Sequence, residues 1–321
     1  MRDSSHSNRP NRFGSRSHRF QRQNGRSSSG GNHRSPAEEA FLSKTSIDPR
    51  YRLRLELGST DPTMRAMDLL CPIGKGQRGL IVSPPKAGKT TFLKNICLSL
   101  AKIEPSLKLY CLLVDERPEE VTDFKRTVSA EVHASPSDRS YEEHIQVAQN
   151  LMTKAIAQAN EGKDVVILLD SLTRLARVHN LNTDGNKTMS GGLDSRALEI
   201  PRRFFGAARN LEEGGSLTIL ATILVGTGSR MDDVIFQEFK GTGNMELVLS
   251  RPAAEQRIFP AINVHSSGTR KEELLMQPDE LQKVYKLRRA LSGVEEVQAA
   301  SLMVDLLNRY PTNEQALKSL E

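Results

Sequence analysis

The chain has 321 residues, 37% of them hydrophobic, with no tryptophan and no apolar run near the roughly 18 residues a bilayer-spanning helix needs, which excludes an integral helical membrane protein. Its net charge of +6 sits at one end: residues 1 to 34 hold eight arginines and one acid, Asp3, while the remaining 37 basic and 38 acidic side chains nearly cancel. Three cysteines, Cys71, Cys97 and Cys111, form no C-x-x-C pair, so neither a disulfide framework nor a zinc ribbon is expected and a reducing, cytoplasmic setting is.

Residues 1 to 40 are expected to be a disordered, basic Arg/Ser/Gly-rich tail. Up to residue 34 only Phe13 and Phe20 offer large apolar surface, too little to offset the entropy of ordering. Gly, Pro and Asn interrupt every window in which an amphipathic transit helix would have to form. Arginine interleaved with phenylalanine suits phosphate contacts with occasional base stacking; a merely solubilising tail is the bland alternative.

From Phe41 onward apolar strands alternate with helical segments, the pattern of a parallel sheet covered by helices. Gly79 to Val82 predicts a strand running into a loop, and Thr91 to Ile103 the helix behind it. Leu109 to Val114 predicts a second strand, followed by a helix start at Arg117-Pro118-Glu119-Glu120. Next come a helix over His144 to Asn160, a fully buried strand over Val165 to Leu169, and strands over Leu217 to Leu224 and Met245 to Leu249. Leu281, Val284, Leu287 and Leu291, then Val297, Leu302, Leu306 and Leu307, mark amphipathic C-terminal helices.

The chemistry concentrates at the ends of three of these strands. Ser83-Pro84-Pro85-Lys86-Ala87-Gly88-Lys89-Thr90 resembles a phosphate-binding loop in which Ser83 replaces the usual first glycine. What survives is a run of backbone N–H groups at a helix N-terminus, a lysine to reach terminal phosphates and a hydroxyl for Mg²⁺. Val165 to Leu169 ends in Asp170, an acid placed to hold a metal, although an ordinary core strand opening a turn would look similar. Leu112-Leu113-Val114 ends in Asp115 and Glu116. Parallel strands end on one edge of their sheet, so these side chains converge, and Glu116 is placed to orient an attacking water.

With these motifs assembled, the chain from about Phe41 to its end resembles the bacterial transcription termination factor Rho family. The resemblance runs through Pro72 to Gly79, the phosphate loop, Val114 to Glu120, Asp170 to Arg177, Arg203 to Asn210, Phe239 to Leu247 and Ser267 to Glu273. It implies an α/β fold, a RecA-like P-loop NTPase core with a mostly parallel sheet flanked by helices. Residues 41 to 321 are then one ATPase motor domain with C-terminal helices.

The resemblance also implies roles for individual residues. Gly74, Lys75, Gly76, Gln77, Arg78 and Gly79 would contact nucleotide, as would Lys86, Ala87, Gly88, Lys89, Thr90 and Thr91, with Arg117 beside them and Phe259 on the adenine. Thr90 and Asp170 would hold Mg²⁺, and Glu116 would be the catalytic carboxylate. Arg270 would be an arginine finger entering a neighbour's site, with Arg257 near that interface; the bland alternative for Arg270 is a solvated loop charge. Lys187, Thr188, Met189, Ser190, Gly191, Gly192 and Leu193 match one RNA-gripping pore loop and Arg230 a second, where the family commonly has lysine; Lys240 would support the same region.

The implied function is an RNA-dependent, ATP-hydrolysing homohexameric ring that translocates on single-stranded RNA and releases it from RNA polymerase. A non-motor paralogue that binds nucleotide and RNA, or joins a full-length ring, is the alternative, and a rotary-ATPase subunit fits the pore-loop segments less well. Three departures stand out: Gly226 replaces an Asp, the loop before Lys187 is one residue short, and Thr91 replaces a bulkier residue. The family's OB-type RNA-capturing domain is expected to be missing, with the basic tail in its place.

Overall fold

Strands sandwiched between two layers of helices must be apolar on both faces, and that requirement organises this chain. The computed structural model describes residues 35 to 182 and 190 to 320; the basic stretch 1 to 34 and the expected pore-loop residues Lys187, Thr188 and Met189 lie outside them. The strands are β1 (Ser46–Ile47), β2 (Arg78–Ser83), β3 (Lys108–Glu116), β4 (Glu131–Pro136), β5 (Asp164–Asp170), β6 (Arg209–Leu211), β7 (Ser216–Leu224), β8 (Met245–Val248) and β9 (Gly268–Thr269). They form one nine-stranded sheet, parallel through β4-β3-β5-β7-β2-β8 and antiparallel where β9 joins β8, β6 joins β7 and β1 joins β6.

The helices are α1 (Pro36–Ser43), α2 (Pro62–Leu70), α3 (Lys89–Ile103), α4 (Pro118–Thr127), α5 (Tyr141–Asn160), α6 (Leu172–Leu181), α7 (Glu199–Gly206), α8 (Arg230–Lys240), α9 (Arg251–Glu255), α10 (Pro278–Ser292), α11 (Glu296–Arg309) and α12 (Asn313–Lys318). Alternate strand residues serve opposite layers. Ile81, Leu113, Val166, Leu168 and Leu247 pack against α2, α3, α4, α10 and α11. Leu80, Val82, Leu112, Val114, Ile167 and Ile219 pack against α5, α6, α7 and α8. Full burial of each such side chain contributes about 2 kcal/mol, so packing of apolar faces holds the helices more than their propensity does. Among the described residues no helix is long and apolar enough to cross a membrane.

Every expected strand and helix forms, most of them longer by a residue or more at one end. Several unexpected elements join them. β4 was invisible because it is an edge strand whose residues are mostly half-exposed. α1 carries a full capping box, Ser35 with Glu38, and the tail boundary expected at residue 40 falls inside this helix. The last two helices differ from each other. α10 buries Leu281, Val284, Leu287 and Leu291 as the spacing predicts. α11 instead buries Ala299, Ala300, Met303 and Leu307 and leaves Leu302 42% exposed, because Ala300 packs against the alanines of α9 and so rotates the helix.

Candidate functional site

β2, β3 and β5 run parallel and deliver Ser83, Glu116 and Asp170 to the same edge of the sheet. Backbone geometry then shapes the loop behind β2. The chain passes through left-handed conformations at Lys86 (φ 65°) and Gly88 (φ 92°). A Cβ on Gly88 would meet nothing within 4 Å, so glycine serves conformation here rather than close packing. α3 starts directly at Lys89, two residues ahead of the expected start, and its first-turn N–H groups lack intrahelical acceptors, which suits anions.

Lys89 reaches across to both acids. Its Nζ donates to Asp170 Oδ1 and, at 3.0 Å, to Glu116 Oε1. The three side chains are 16%, 2% and 4% exposed respectively, so this is a nearly dry cluster in which charges act strongly. Burial works to lower the Lys89 ammonium, but Asp170 and Glu116 outweigh it and hold its pKa above the ordinary value. Glu116 moves above the ordinary carboxylate range because burial and then Asp170 oppose its charge, while Lys89 and Arg174 hold it back. A carboxylate of raised basicity beside a fixed cation is suited to taking a proton.

Two partners were not foreseen. Arg174, in the first turn of α6, donates from Nη1 to Asp115 Oδ2 at 3.1 Å and places Nε 3.1 Å from Glu116 Oε1. Its position four residues after Asp170 was the available signal. Thr222 of β7 donates from Oγ1 to Asp170 Oδ1 at 2.8 Å. Only the register of β5 on β7, with Leu169 opposite Ala221, reveals that contact.

Of the other expected nucleotide residues, Lys86, Ala87, Gly88, Thr90 and Thr91 lie on the loop and first turn, with Ala87 buried, Thr90 half-buried and Thr91 exposed. Arg117 caps α4, is exposed, and lies 3.7 Å from Glu120. Arg257 (φ 60°) and the 48% exposed Phe259 occupy the turn beyond β8, the neighbour of β2, and so belong to the same edge. The hydroxyl of Thr90 and the carboxylate of Asp170 are hard oxygen donors that fit Mg²⁺, which binds few protein ligands and keeps phosphates and waters.

Gly74 to Gly79, also expected to contact nucleotide, stand apart from the phosphate loop within one subunit. This segment enters β2 at its N-terminal end, about 20 Å from the phosphate loop at roughly 3.3 Å per residue, on the opposite edge of the sheet. Its residues are occupied in packing. Lys75 pairs with Asp164 at 2.7 Å, Gln77 Nε2 donates to Asn244 Oδ1 at 2.6 Å, and the Arg78 guanidinium donates to the carbonyls of Thr242 and Ala208. Gly76 (φ 91°) has no room for a side chain, since a Cβ would lie 2.3 Å from Asn210 N. Arg270 stands on this far edge too: its amide donates to Asn244 O beside the start of β8, its side chain is exposed, and burial followed by its charge lowers the Arg78 pKa.

The expected RNA residues divide in three. Ser190 and Gly192 are exposed and Gly191 packs directly on the second loop, where a Cβ would lie 2.8 Å from Met231 N. Arg230 is exposed at the start of α8. Leu193 is instead fully buried in the core, and Lys240 ends α8, about 15 Å from Arg230, because that helix carries the chain back to the other sheet edge.

The nucleotide-binding domain model of the ATP synthase alpha/beta family matches residues 63–269. The chain is similar to transcription termination factor Rho of Pseudomonas aeruginosa, 53% identical over 285 residues that cover 88% of this chain and 68% of that protein. Similarity to Rho of Haemophilus influenzae is 56% over 279 residues (86% and 66%), and to that of Streptosporangium roseum 54% over 274 residues (85% and 71%). Among solved structures, a type III secretion system ATPase of pathogenic bacteria superposes with a TM-score of 0.71 at 22% identity over 88% of each chain. The assembled secretion ATPase EscN of enteropathogenic E. coli gives 0.70 at 21%, covering 86% of this chain and 72% of that one. At such identities these two establish the shared fold alone.

Proposed function

Because the chain belongs to the transcription termination factor Rho family, built on the ATP synthase alpha/beta nucleotide-binding domain, we propose that this ATP hydrolase is an RNA-dependent ring motor. It translocates on single-stranded RNA and frees transcripts from RNA polymerase. The observation that carries the reading is Lys89 bridging the buried carboxylates Asp170 and Glu116 at the tips of adjacent parallel strands. The non-motor alternative is not carried forward, since the similarity to Rho proteins extends over 285 residues.

In this reading Lys89 binds the terminal phosphates, releasing the two carboxylates for their own work. Asp170 and Thr90 would hold Mg²⁺, which when bound would supply positive charge to the phosphoryl oxygens. Glu116, positioned by Arg174, orients the water and accepts its proton. Phe259 stacks on the base, with Thr91, Lys86 and Arg117 at the rim of the same pocket. Arg270 is exposed on the far edge of the sheet, so it reaches a nucleotide only on a neighbouring copy, and a closed head-to-tail ring provides that neighbour for every subunit. Ser190, Gly191, Gly192 and Arg230 face RNA in the pore, where backbone and cations grip phosphates with weak sequence preference.

The test is ATP turnover of the purified protein with and without poly-C RNA, with its solution mass recorded alongside and release of an annealed strand followed in parallel. A ring-sized mass, RNA-stimulated turnover and strand release are expected. Turnover indifferent to RNA, or turnover by a monomer, would remove the ring-motor reading.

A further inference from the structure

Two of the three cysteines meet inside the core, on the two elements that carry Lys89 and Glu116. Cys97 lies midway along α3 and Cys111 midway along β3. Both are fully buried, and their sulfurs stand 3.8 Å apart. A buried free cysteine usually serves as a small hydrophobe. Here the gap is close enough for chemistry, since reaching the S–S bond length of about 2 Å takes a closure of about 2 Å or less. Cys71 has no such partner: its thiol donates to Glu246 O at 3.3 Å, and burial pushes its pKa up to about 12.

The two thiols are not equivalent. A hydrogen bond from Cys111 holds the Cys97 thiol below its ordinary pKa, helped by the Ala130 amide and opposed by burial. The same contact, with burial, pushes Cys111 well above it. One sulfur is therefore poised to attack and the other keeps its proton, the division of labour between a reactive thiol and its resolving partner. A route to the pair also exists. A cavity of about 310 Å³ opens between the end of α3 and the start of β4, with Glu104, Lys108 and Glu131 in its polar walls. Ala101, one turn beyond Cys97 on α3, lines it, as do Tyr110, next to Cys111, and Ala130, whose amide meets Cys97. The cavity admits a small polar oxidant and brings it within one residue of each sulfur.

We propose that Cys97 and Cys111 are a dithiol oxidised by hydrogen peroxide, whose disulfide ties α3 to β3 and reversibly slows ATP turnover. The Cys97 thiolate attacks one peroxide oxygen, the O–O bond breaks, and the departing hydroxide takes the Cys97 proton to leave as water. Cys97 is now a sulfenic acid. Cys111 attacks its sulfur, the S–O bond breaks, and the hydroxyl leaves with the Cys111 proton as a second water. Two thiols and one peroxide thus give one disulfide and two waters; each sulfur gives up one electron and the peroxide takes both. Lys89 begins α3 about two turns before Cys97, and Glu116 ends β3 beyond Cys111, so drawing the elements together displaces the lysine from the carboxylate it holds. A misplacement of about 1 Å at a reacting centre can cost about 100-fold in rate. The slowing rests on the hydrolytic roles read for Lys89 and Glu116; the bond itself does not.

The test is a hydrogen peroxide titration of the purified full chain. Free thiols are counted after quenching in denaturant, cross-linked peptides are mapped by mass spectrometry, and ATP turnover is followed before and after dithiothreitol. Loss of two of the three thiols is expected, with a peptide pair joining Cys97 to Cys111 that is lighter by two hydrogens. Turnover should fall about tenfold or more and return with dithiothreitol. Cys71→Ser should respond as wild type does. Cys111→Ser and Cys97→Ala should form no such bond and keep their turnover through the same titration; the thiol count and peptide map of wild type stand even where a variant folds poorly. Three thiols surviving in the folded protein, a bond that involves Cys71, or equal loss of turnover in Cys111→Ser and wild type would each overturn the proposal. A Cys97–Cys111 bond that leaves turnover unchanged would overturn the switch. Normal turnover in Lys89→Ala, measured alongside, would instead overturn the hydrolytic reading beneath it.

Discussion

At the C-terminal edge of the sheet Lys89, Glu116 and Asp170 bring opposed charges together almost out of water. At the N-terminal edge Lys75 and Asp164 pair while 20% and 28% exposed, and Arg270 stands in solvent. The same strands build both ends. Their flanking segments differ: helix starts with free N–H groups and acid-tipped strands at one, tight glycine contacts and strand entries at the other. In the proposed reading, charge at the dry edge acts on bound phosphate, and charge at the wet edge acts on its own chain or on a neighbour.

The strongest challenge to this contrast uses one residue from each edge. Lys89→Ala and Arg270→Ala should each lower ATP turnover by about 10³-fold or more, as for loss of a phosphate-binding lysine or an arginine finger. Mixed in equal amounts before assembly, the two inactive proteins should recover activity at about a quarter of the interfaces, where an intact phosphate loop meets an intact Arg270. Absence of recovery in rings shown to be mixed would mean that Arg270 does not act across the interface.

Next in size, Glu116→Gln should cut turnover about 10²- to 10⁴-fold while nucleotide still binds, separating proton acceptance from the phosphate contacts of Lys89. The wild-type pH–rate profile should also fall on its acid side at a pH above the ordinary carboxylate range, because the raised Glu116 must be ionised to act. A normal acid limb would place the base elsewhere.

On stability, His179 near the end of α6 is held neutral by burial, with its pKa lowered from 6.5 to about 4. The unfolded chain binds this proton first, so stability present above pH 6.5 is lost as pH falls toward 4, by up to about 3 kcal/mol. In denaturant melts across that window, wild type should lose stability with falling pH relative to His179→Gln; equal pH dependence in the two proteins would mean that another group is the cause.

The far edge should answer through folding alone. Gly76→Ala, forced to φ 91° with its Cβ against Asn210, should cost about 2 kcal/mol or more while turnover per folded molecule is unchanged. Lys75→Ala, breaking a partly exposed pair, should cost no more than about 1 kcal/mol and leave nucleotide affinity untouched. A marked loss of affinity from Lys75→Ala would return this segment to the nucleotide site and erase the contrast between edges.

Much of the site could be read from the linear chain because its chemistry is tied to strand ends. An apolar run closing in Asp170 or in Asp115-Glu116 fixes both the direction and the edge of the side chain, and a G-K-T after such a strand can only open a helix there. The placement of Gly74 to Gly79 was not legible, because a motif shared along a family carries no information about which end of a strand it occupies. Nor was the burial of Leu193, because one residue in a glycine-rich loop can anchor it in the core while its neighbours stay exposed. The separation of Lys240 from Arg230 was hidden because the helix between them reverses the chain across the sheet.

Local chemistry written in the residues therefore determined the layered α/β fold, the phosphate loop and the acids of the site, since each depends on periodicity or on neighbours a few positions apart. Tertiary structure alone decided that Thr222 supports Asp170, that Arg174 leans on Glu116, that Arg177 ties α6 to Asp232 of α8, and that Arg270 stands at the opposite edge of the sheet from Lys89. Those contacts join residues brought together by strand register and helix docking, and register is a property of the assembled sheet that no short segment encodes.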